Sequence, residues 1–281
     1  MTGKWTKIKL FNKKEMFVSS IDEGLGKELA KYKIREPFSS RYISSFLSNT
    51  DKVLEIGANQ GYYTILESEI ADQIVAVEPV KYNFSILQKN VKLHKLEKKV
   101  KIFKLAIGDK NKKIKIKIPK KLNLSGFAIP KRDILEEEIV FMQTLDNFCL
   151  KNSYLPTFIR MDVEGYEYEI LKTSKKIVGN ENIKLKLHIE FHPHILKYNK
   201  SKELLTFLKN NNFKIKLLIF EPPLFVFSRK ILYCLYKTYL ELFFERTYGP
   251  SPFHLKWEDI LSDLNLLSGK KGAFHIFLER S

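Results

Sequence analysis

VLEIGANQG, residues Val53 to Gly61, followed by VAVEP, residues Val75 to Pro79, decides how this chain folds. Val53, Leu54 and Ile56 make a short apolar run suited to a strand covered on both faces. The chain then turns through Gly57, Ala58, Asn59, Gln60 and Gly61, and Tyr62 to Glu69 continues as a helix whose amino end faces the turn. Ile74 to Val77 is the next β-rich run, and Glu78 sits at its carboxyl end. Strand, glycine turn, helix and acid-tipped strand make up the nucleoside-binding half of a doubly wound sheet. Such sheets bind ligands outside the carboxyl ends of their strands, where an acid about 20 residues beyond the first glycine accepts ribose hydroxyls. Gly57 and Glu78 keep that spacing.

The kind of nucleoside follows from the composition of the turn. Dinucleotide sites carry G-x-G-x-x-G, the second glycine making room for a pyrophosphate. Here Asn59 occupies that second position, and Glu55 lies on the strand two residues before Gly57. A carboxylate there repels a pyrophosphate and can orient a cationic amino-acid moiety, so the turn favours S-adenosylmethionine over NAD. The candidate cofactor contacts are Glu55, Gly57, Asn59, Gly61, Tyr62, Glu78, Pro79, Ala106 and Asp162.

The remaining pattern extends this unit in both directions. Lys7 to Phe11 and Glu15 to Val18 suggest a small hairpin, and Phe38 to Leu47 a helix with Pro37 at its first turn. Tyr82 to Leu93 is helical, with Phe84, Leu87 and Val91 on one face. Val100 to Leu105, Phe158 to Met161 and Lys184 to Glu190 read as the third, fourth and fifth strands. Ser201 to Asn210 reads as a helix, and Phe213 to Phe220 with Ala273 to Leu278 as a final antiparallel pair. Ile114 to Ile118 alternates isoleucine with lysine and predicts a half-exposed strand pairing with Glu138 to Gln143. Their connecting loop, with Leu124, Ser125, Gly126 and Phe127, is either a substrate-selecting loop or a plain connector.

The expected architecture is α/β: a Rossmann-like, mostly parallel seven-stranded sheet with helices on both faces and a final antiparallel strand. Residues 1–50 form an N-terminal hairpin and helix packed on the core, and 51–281 the main domain. Within it lie a hairpin insert at 110–145 and an aromatic helical insert at 221–272.

Three residues leave neighbouring strand ends with chemistry to offer. Asp162 follows the fourth strand; Glu190 and His192 follow the fifth. Asp162 is either a catalytic acid or a cap on the next turn, with Glu164 and Glu167 as first-turn acids. His192 suits a general base, because its ordinary pKa lies near working pH. The alternative is that Asp162, Glu190 and His192 hold a divalent cation, although their spacing is no metal motif. His188 reads as a core residue and His194 as a solvent-facing loop residue.

YKIREPFSSRYISSFL (Tyr32 to Leu47), LEIGANQGYYTI (Leu54 to Ile65), VAVEPVKYNFSILQKNV (Val75 to Val91), LAIGD (Leu105 to Asp109), QTLDNF (Gln143 to Phe148) and IRMDVEGYEYEILK (Ile159 to Lys172) fall in one order. From Tyr32 to Pro193 the chain resembles FkbM-type, S-adenosylmethionine-dependent class I methyltransferases. The GAN-x-G-YYT and D-V-E-G-x-E elements are the most specific parts of that resemblance. It implies O-methylation of a hydroxyl on a sugar, glycolipid or related metabolite. The family pattern usually has aspartate at the position of Glu55 and isoleucine at that of Gln60. The first change keeps the charge; the second, in the turn, bears on cofactor contacts.

Composition narrows the partners. The 281 residues, 44% hydrophobic, can bury a sizeable core. Cys149 and Cys234 lie far apart and form no metal or redox motif. The start, MTGKWTKIKL, lacks a signal-peptide run, and no stretch is apolar enough to span a membrane, so a cytoplasmic protein is expected. The formal net charge is +17, and 15 lysines face only Glu97 and Asp109 between Lys81 and Lys121. That run is either a solvated face or a surface for polyanions, with RNA as the competing acceptor. DVEG stands where base N-methyltransferases of this class often carry an N-P-P-Y-like motif, which argues against base amino groups. The apolar aromatic stretch at 224–244, with Arg229, Lys230 and Lys237, is either a packed helix or an interface with an anionic membrane surface. A non-catalytic cofactor-binding or membrane-peripheral scaffold is the third reading.

Overall fold

The computed structural model describes residues 4–119, 134–221 and 255–280. The loop at Leu124 to Phe127, the aromatic stretch 224–244 and Cys234 lie outside those residues.

The strands are β1 (Trp5–Lys9), β2 (Glu15–Ser19), β3 (Lys52–Ile56), β4 (Gln73–Val77), β5 (Val100–Phe103), β6 (Ala106–Gly108), β7 (Lys112–Pro119), β8 (Ile134–Thr144), β9 (Phe158–Met161), β10 (Leu185–Phe191), β11 (Lys214–Ile219) and β12 (Phe274–Arg280). The helices are α1 (Leu25–Tyr32), α2 (Pro37–Phe46), α3 (Tyr62–Glu67), α4 (Lys81–Leu93), α5 (Leu145–Lys151), α6 (Glu167–Thr173), α7 (Pro193–Asn210), α8 (Trp257–Ser262) and α9 (Leu264–Leu267).

The central sheet has seven strands in the order β11-β12-β10-β9-β3-β4-β5. Strand β3 pairs in parallel with β4 and β9, and β12 runs antiparallel to both of its neighbours. The chain winds outward from β3 through β4 to β5, then returns to lay β9 and β10 on the other side. The strand order therefore reverses at β3, and the crevice outside its carboxyl end is where ligands of open α/β sheets bind.

Both faces are covered. On one, Leu54, Ile56, Met161 and Ile189 pack beneath α5, α6, α7 and the short pair α8–α9. On the other, Val53, Ile74, Phe158 and Phe277 pack with residues of α2, α3 and α4 and with Ile8, Met16 and Val18 of the β1–β2 hairpin. Trp257 anchors α8 by donating its indole N–H to the Phe213 carbonyl at 2.8 Å. A separate sheet, β6-β8-β7, carries the Ile–Lys alternation: Ile116 and Ile118 face inward while Lys113 and Lys115 are exposed.

The structure differs from the sequence reading in several places, among them α5, for which that reading has no helix. Helix α1 has no counterpart in that reading, although Leu25, Leu29 and Tyr32 stand at helical spacing in its eight residues. β6 is a three-residue strand held only by its parallel pairing with β8. His194 is exposed as expected but belongs to the first turn of α7, because Pro193 starts that helix at its first position. Among the described residues, no helix is long and apolar enough to cross a membrane.

Candidate functional site

Turn 57–61 is shaped by the strand beside it. Gly57 has φ +86°, and a Cβ there would fall inside the Asp162 carbonyl oxygen, so β9 and the turn touch backbone to backbone. The Asp162 N–H donates to the Ile56 carbonyl at 3.0 Å, which aligns the two exits. Gly61 packs against Leu87 of α4.

Glu78, at the end of β4, is 4% exposed. Its oxygens accept the Asn59 N–H at 2.8 Å and the Val80 N–H at 2.9 Å, which holds the turn against β4. Burial pushes its carboxyl up to about 7, against the pull of those two amides.

A cleft opens beside this carboxylate. Gly57, Asn59, Glu78, Pro79 and Ala106 line it, together with Val80, Asn83, Ile107 and Tyr166. Asp162 and Glu164 also line it. Its walls are thus mostly apolar with a few convergent polar groups, as small-molecule sites are.

Three of the candidate cofactor contacts, Glu55, Gly61 and Tyr62, do not line this cleft. Glu55 is fully buried beneath the turn, accepting from the Thr64 hydroxyl and lying 3.8 Å from Arg160 Nη1. Tyr62 turns its hydroxyl toward Ser40, at 3.0 Å, and the Arg35 carbonyl, at 3.2 Å. Neither lines the main cleft; both line a smaller pocket that shares Gly57, Asn59 and Asp162 with it. Gln60 is also turned away from the cleft. It is fully buried, accepts the Ser19 N–H at 2.9 Å and donates to Asp22 at 3.0 Å. Its departure from the family pattern therefore ties the turn to the N-terminal segment and does not touch a cofactor contact.

The three chemistry-bearing residues do come together. Ligating atoms of Asp162, Glu190 and His192 all lie within 4.8 Å of one another. They converge because polar side chains alternate with apolar ones on β9 and β10, and so share one face. Arg160 and Asp162 follow that period, as do His188, Glu190 and His192. The pairing aligns Glu55 with Arg160, Arg160 with His188, and Glu190 with His275 in a polar band across the buried sheet.

His192 is not the free base expected of it. Its Nδ1 donates to Glu167 at 2.7 Å, and its Nε2 lies 3.5 Å from Glu164 and 3.6 Å from Glu190. Burial pulls its pKa down, but Glu167 and Glu190 outweigh that and hold it well above the ordinary value. Glu190 is pushed up by burial and pulled further down by His192, His275 and Arg35, so it stays ionised. Asp162 goes the other way. Burial and the Glu190 charge raise it well above the usual range, despite Arg160 3.5 Å from its Oδ2. Burial likewise raises Glu164 to about 7 against the pull of His192.

Asp162 therefore does not cap α6, and Glu164 is no first-turn acid: α6 begins at Glu167, and Glu164 sits at φ +49° facing His192. Gly165, at φ +92°, lets the DVEG turn pack onto Ile195 of α7, where a Cβ would overlap. Glu167 both accepts the Gly165 N–H at 2.9 Å and backs His192. Sequence reasoning missed Arg160, which lies 3.7 Å above the Tyr63 ring, and Arg35, which pairs with Glu36 and lies 3.9 Å from Glu190. An arginine inside the apolar run FIRM was the available signal for Arg160.

The family model of the methyltransferase FkbM domain matches residues 55–215, more than half of the chain. No curated protein matches the sequence. Among solved structures, methyltransferase FkbM from Methylobacillus flagellatus KT superposes with a TM-score of 0.45 at 15% identity, over 69% of this chain and 44% of that one. Methanocaldococcus jannaschii Trm5 in complex with adenosine gives 0.46 at 15% identity, over 79% and 52%. M. jannaschii TYW2 in complex with AdoMet gives 0.46 at 13% identity, over 99% and 87%. The chain spans about half or less of the length of the first two.

Proposed function

The chain belongs to the FkbM methyltransferase family, and from that premise we propose that it uses S-adenosylmethionine to O-methylate a hydroxyl of a sugar, glycolipid or related metabolite. The observation that carries this reading is the juxtaposition, in one nucleoside-type cleft, of Glu78 with the half-buried acids Asp162 and Glu164. Glu78 fits the cofactor: it accepts the Asn59 and Val80 N–H groups and the Asn83 side chain, which leaves one lone pair of its two oxygens for a ribose hydroxyl. Pro79, Val80 and Ala106 offer apolar walls to an adenine ring. The cofactor supplies an activated methyl group on a sulfonium, so the protein's work is alignment, desolvation and proton removal.

The cluster divides that work. Glu190 and His192 are ion-paired and keep their charges. Asp162 and Glu164 have raised proton affinity and face the cleft, which suits them to take the proton of an acceptor hydroxyl near neutral pH. Arg160 holds the Asp162 carboxylate from behind.

RNA is the runner-up acceptor, favoured by the net charge of +17. Part of the lysine run is already neutralised, since Lys104 pairs with Glu138 and Lys115 with Glu137. Methyl incorporation from labelled cofactor, screened across lipid, sugar, RNA and protein fractions, separates the readings. Label in the sugar or glycolipid fraction is expected. Label confined to RNA, with binding that weakens steeply in salt, would replace the proposal.

A further inference from the structure

We infer that Asp162, Glu190 and His192 form a binding site for a hard divalent cation of the Mn²⁺/Mg²⁺ class. The orientation of His192 is the primary argument. Its Nδ1 is committed to Glu167 Oε1 at 2.7 Å, and Glu167 is wholly buried. That fixes the ring with Nε2 among acids: Glu164 Oε2 at 3.5 Å and Glu190 Oε1 at 3.6 Å, with Asp162 inside the same 4.8 Å set. A carboxylate behind a histidine whose other nitrogen faces acids is the arrangement that orients metal-ligating imidazoles. Two carboxylates and one imidazole suit manganese or magnesium, with water or substrate oxygens completing the shell. Octahedral bonds of about 2.1 Å put opposite ligands about 4.2 Å apart and adjacent ones about 3.0 Å apart, so the three side chains close by up to roughly 2 Å when they bind the ion.

Charge and vacancy of lone pairs agree. Four acids, Asp162, Glu164, Glu167 and Glu190, meet at this point. Arg35 and Arg160 approach it but are shared with Glu36 and Glu55. Glu190 Oε2 has no hydrogen-bond partner among the described residues. Without a cation, a proton on Nε2 fills the space between ring and acids; proton and cation are alternatives at that position. A second set, Glu36, Glu190 and His275, meets the same distance limit. It is the poorer site, because Glu36 already accepts the Tyr63 hydroxyl at 2.7 Å and pairs with Arg35, while His275 faces His188 at 3.1 Å.

The role of the cation rests on the methyltransferase reading. Beside the cleft it would bind an acceptor hydroxyl and lower its pKa, leaving Glu164 to receive the proton. The binding claim stands apart from that role, and its test needs no cofactor. Mn²⁺ is titrated into the 281-residue protein and followed by electron paramagnetic resonance, with electron spin-echo modulation to detect nitrogen ligation. The expected result is one saturable Mn²⁺ per chain with the ¹⁴N modulation of a single imidazole. Glu190→Gln and Asp162→Asn should each weaken binding at least tenfold, and His192→Gln should abolish the modulation. No saturable binding at millimolar Mn²⁺, or a bound ion with oxygen ligands only, overturns the inference. Because the nitrogen signal is read on the unmodified protein, a variant that fails to fold does not blunt the test.

Discussion

Glu78 shows how burial sets a residue's chemistry and exposes it to pH. Its native carboxyl lies near 7, whereas the unfolded chain returns it to the ordinary 4.5. The native state therefore binds the proton more tightly, and stability falls as pH rises from about 4.5 through 7. Glu78→Gln removes this dependence. Between pH 5 and 7.5 the variant should gain on the order of 1–3 kcal/mol relative to the parent, read from denaturant midpoints at each pH. Parallel curves for the two proteins would show that Glu78 is ionised throughout. Gly57 is constrained by packing and not by the ligand alone. Gly57→Val meets the Asp162 carbonyl and a positive φ, and should cost about 3 kcal/mol while abolishing cofactor binding. Unchanged calorimetric affinity in that variant would remove the turn from the site. Gly57, Glu78 and Asp162 were legible because their spacing carries the motif. The directions of Gln60 and Tyr62 were not legible, because sequence spacing puts a residue in a turn without saying which way its side chain leaves it.

The strands were legible where apolar period and turn residues agree, as in β3, β4 and β9. What escaped was the second message of β9 and β10. They read as the fourth and fifth strands, yet both interleave apolar residues with Arg160, Asp162, His188, Glu190 and His192. That alternation marks a polar face inside the protein, and only the pairing of β9 with β10 shows that it is continuous. The β1–β2 hairpin was legible as an element, but not its attachment. Asn90 of α4, fully buried, exchanges hydrogen bonds with Phe17 at 2.7 and 2.9 Å and donates to the Gln60 carbonyl at 2.7 Å. One amide thus pins hairpin, helix and turn together. Asn90→Leu leaves the Phe17 N–H and two carbonyls without partners, and should cost about 3 kcal/mol in chemical denaturation. A cost under about 0.5 kcal/mol would mean that the hairpin contributes little to holding the turn.

The whole molecule follows from the topology. A reversal of strand order at β3 places the ends of β3, β4 and β9 around one crevice, and the apolar layers on both faces make that crevice rigid. The class I methyltransferase order was legible from the β-α rhythm because right-handed crossovers leave few ways to stack parallel strands. The acceptor was not legible, since it depends on loops whose sequences carry no period. The account stands or falls on the donor half of the reaction, and isothermal calorimetry with S-adenosylmethionine tests it most directly. It predicts one saturable site per chain, weakened roughly 10- to 100-fold in Glu78→Ala through loss of charged hydrogen bonds to the ribose. Absence of binding at millimolar cofactor in a folded sample, or full affinity without Glu78, would contradict it.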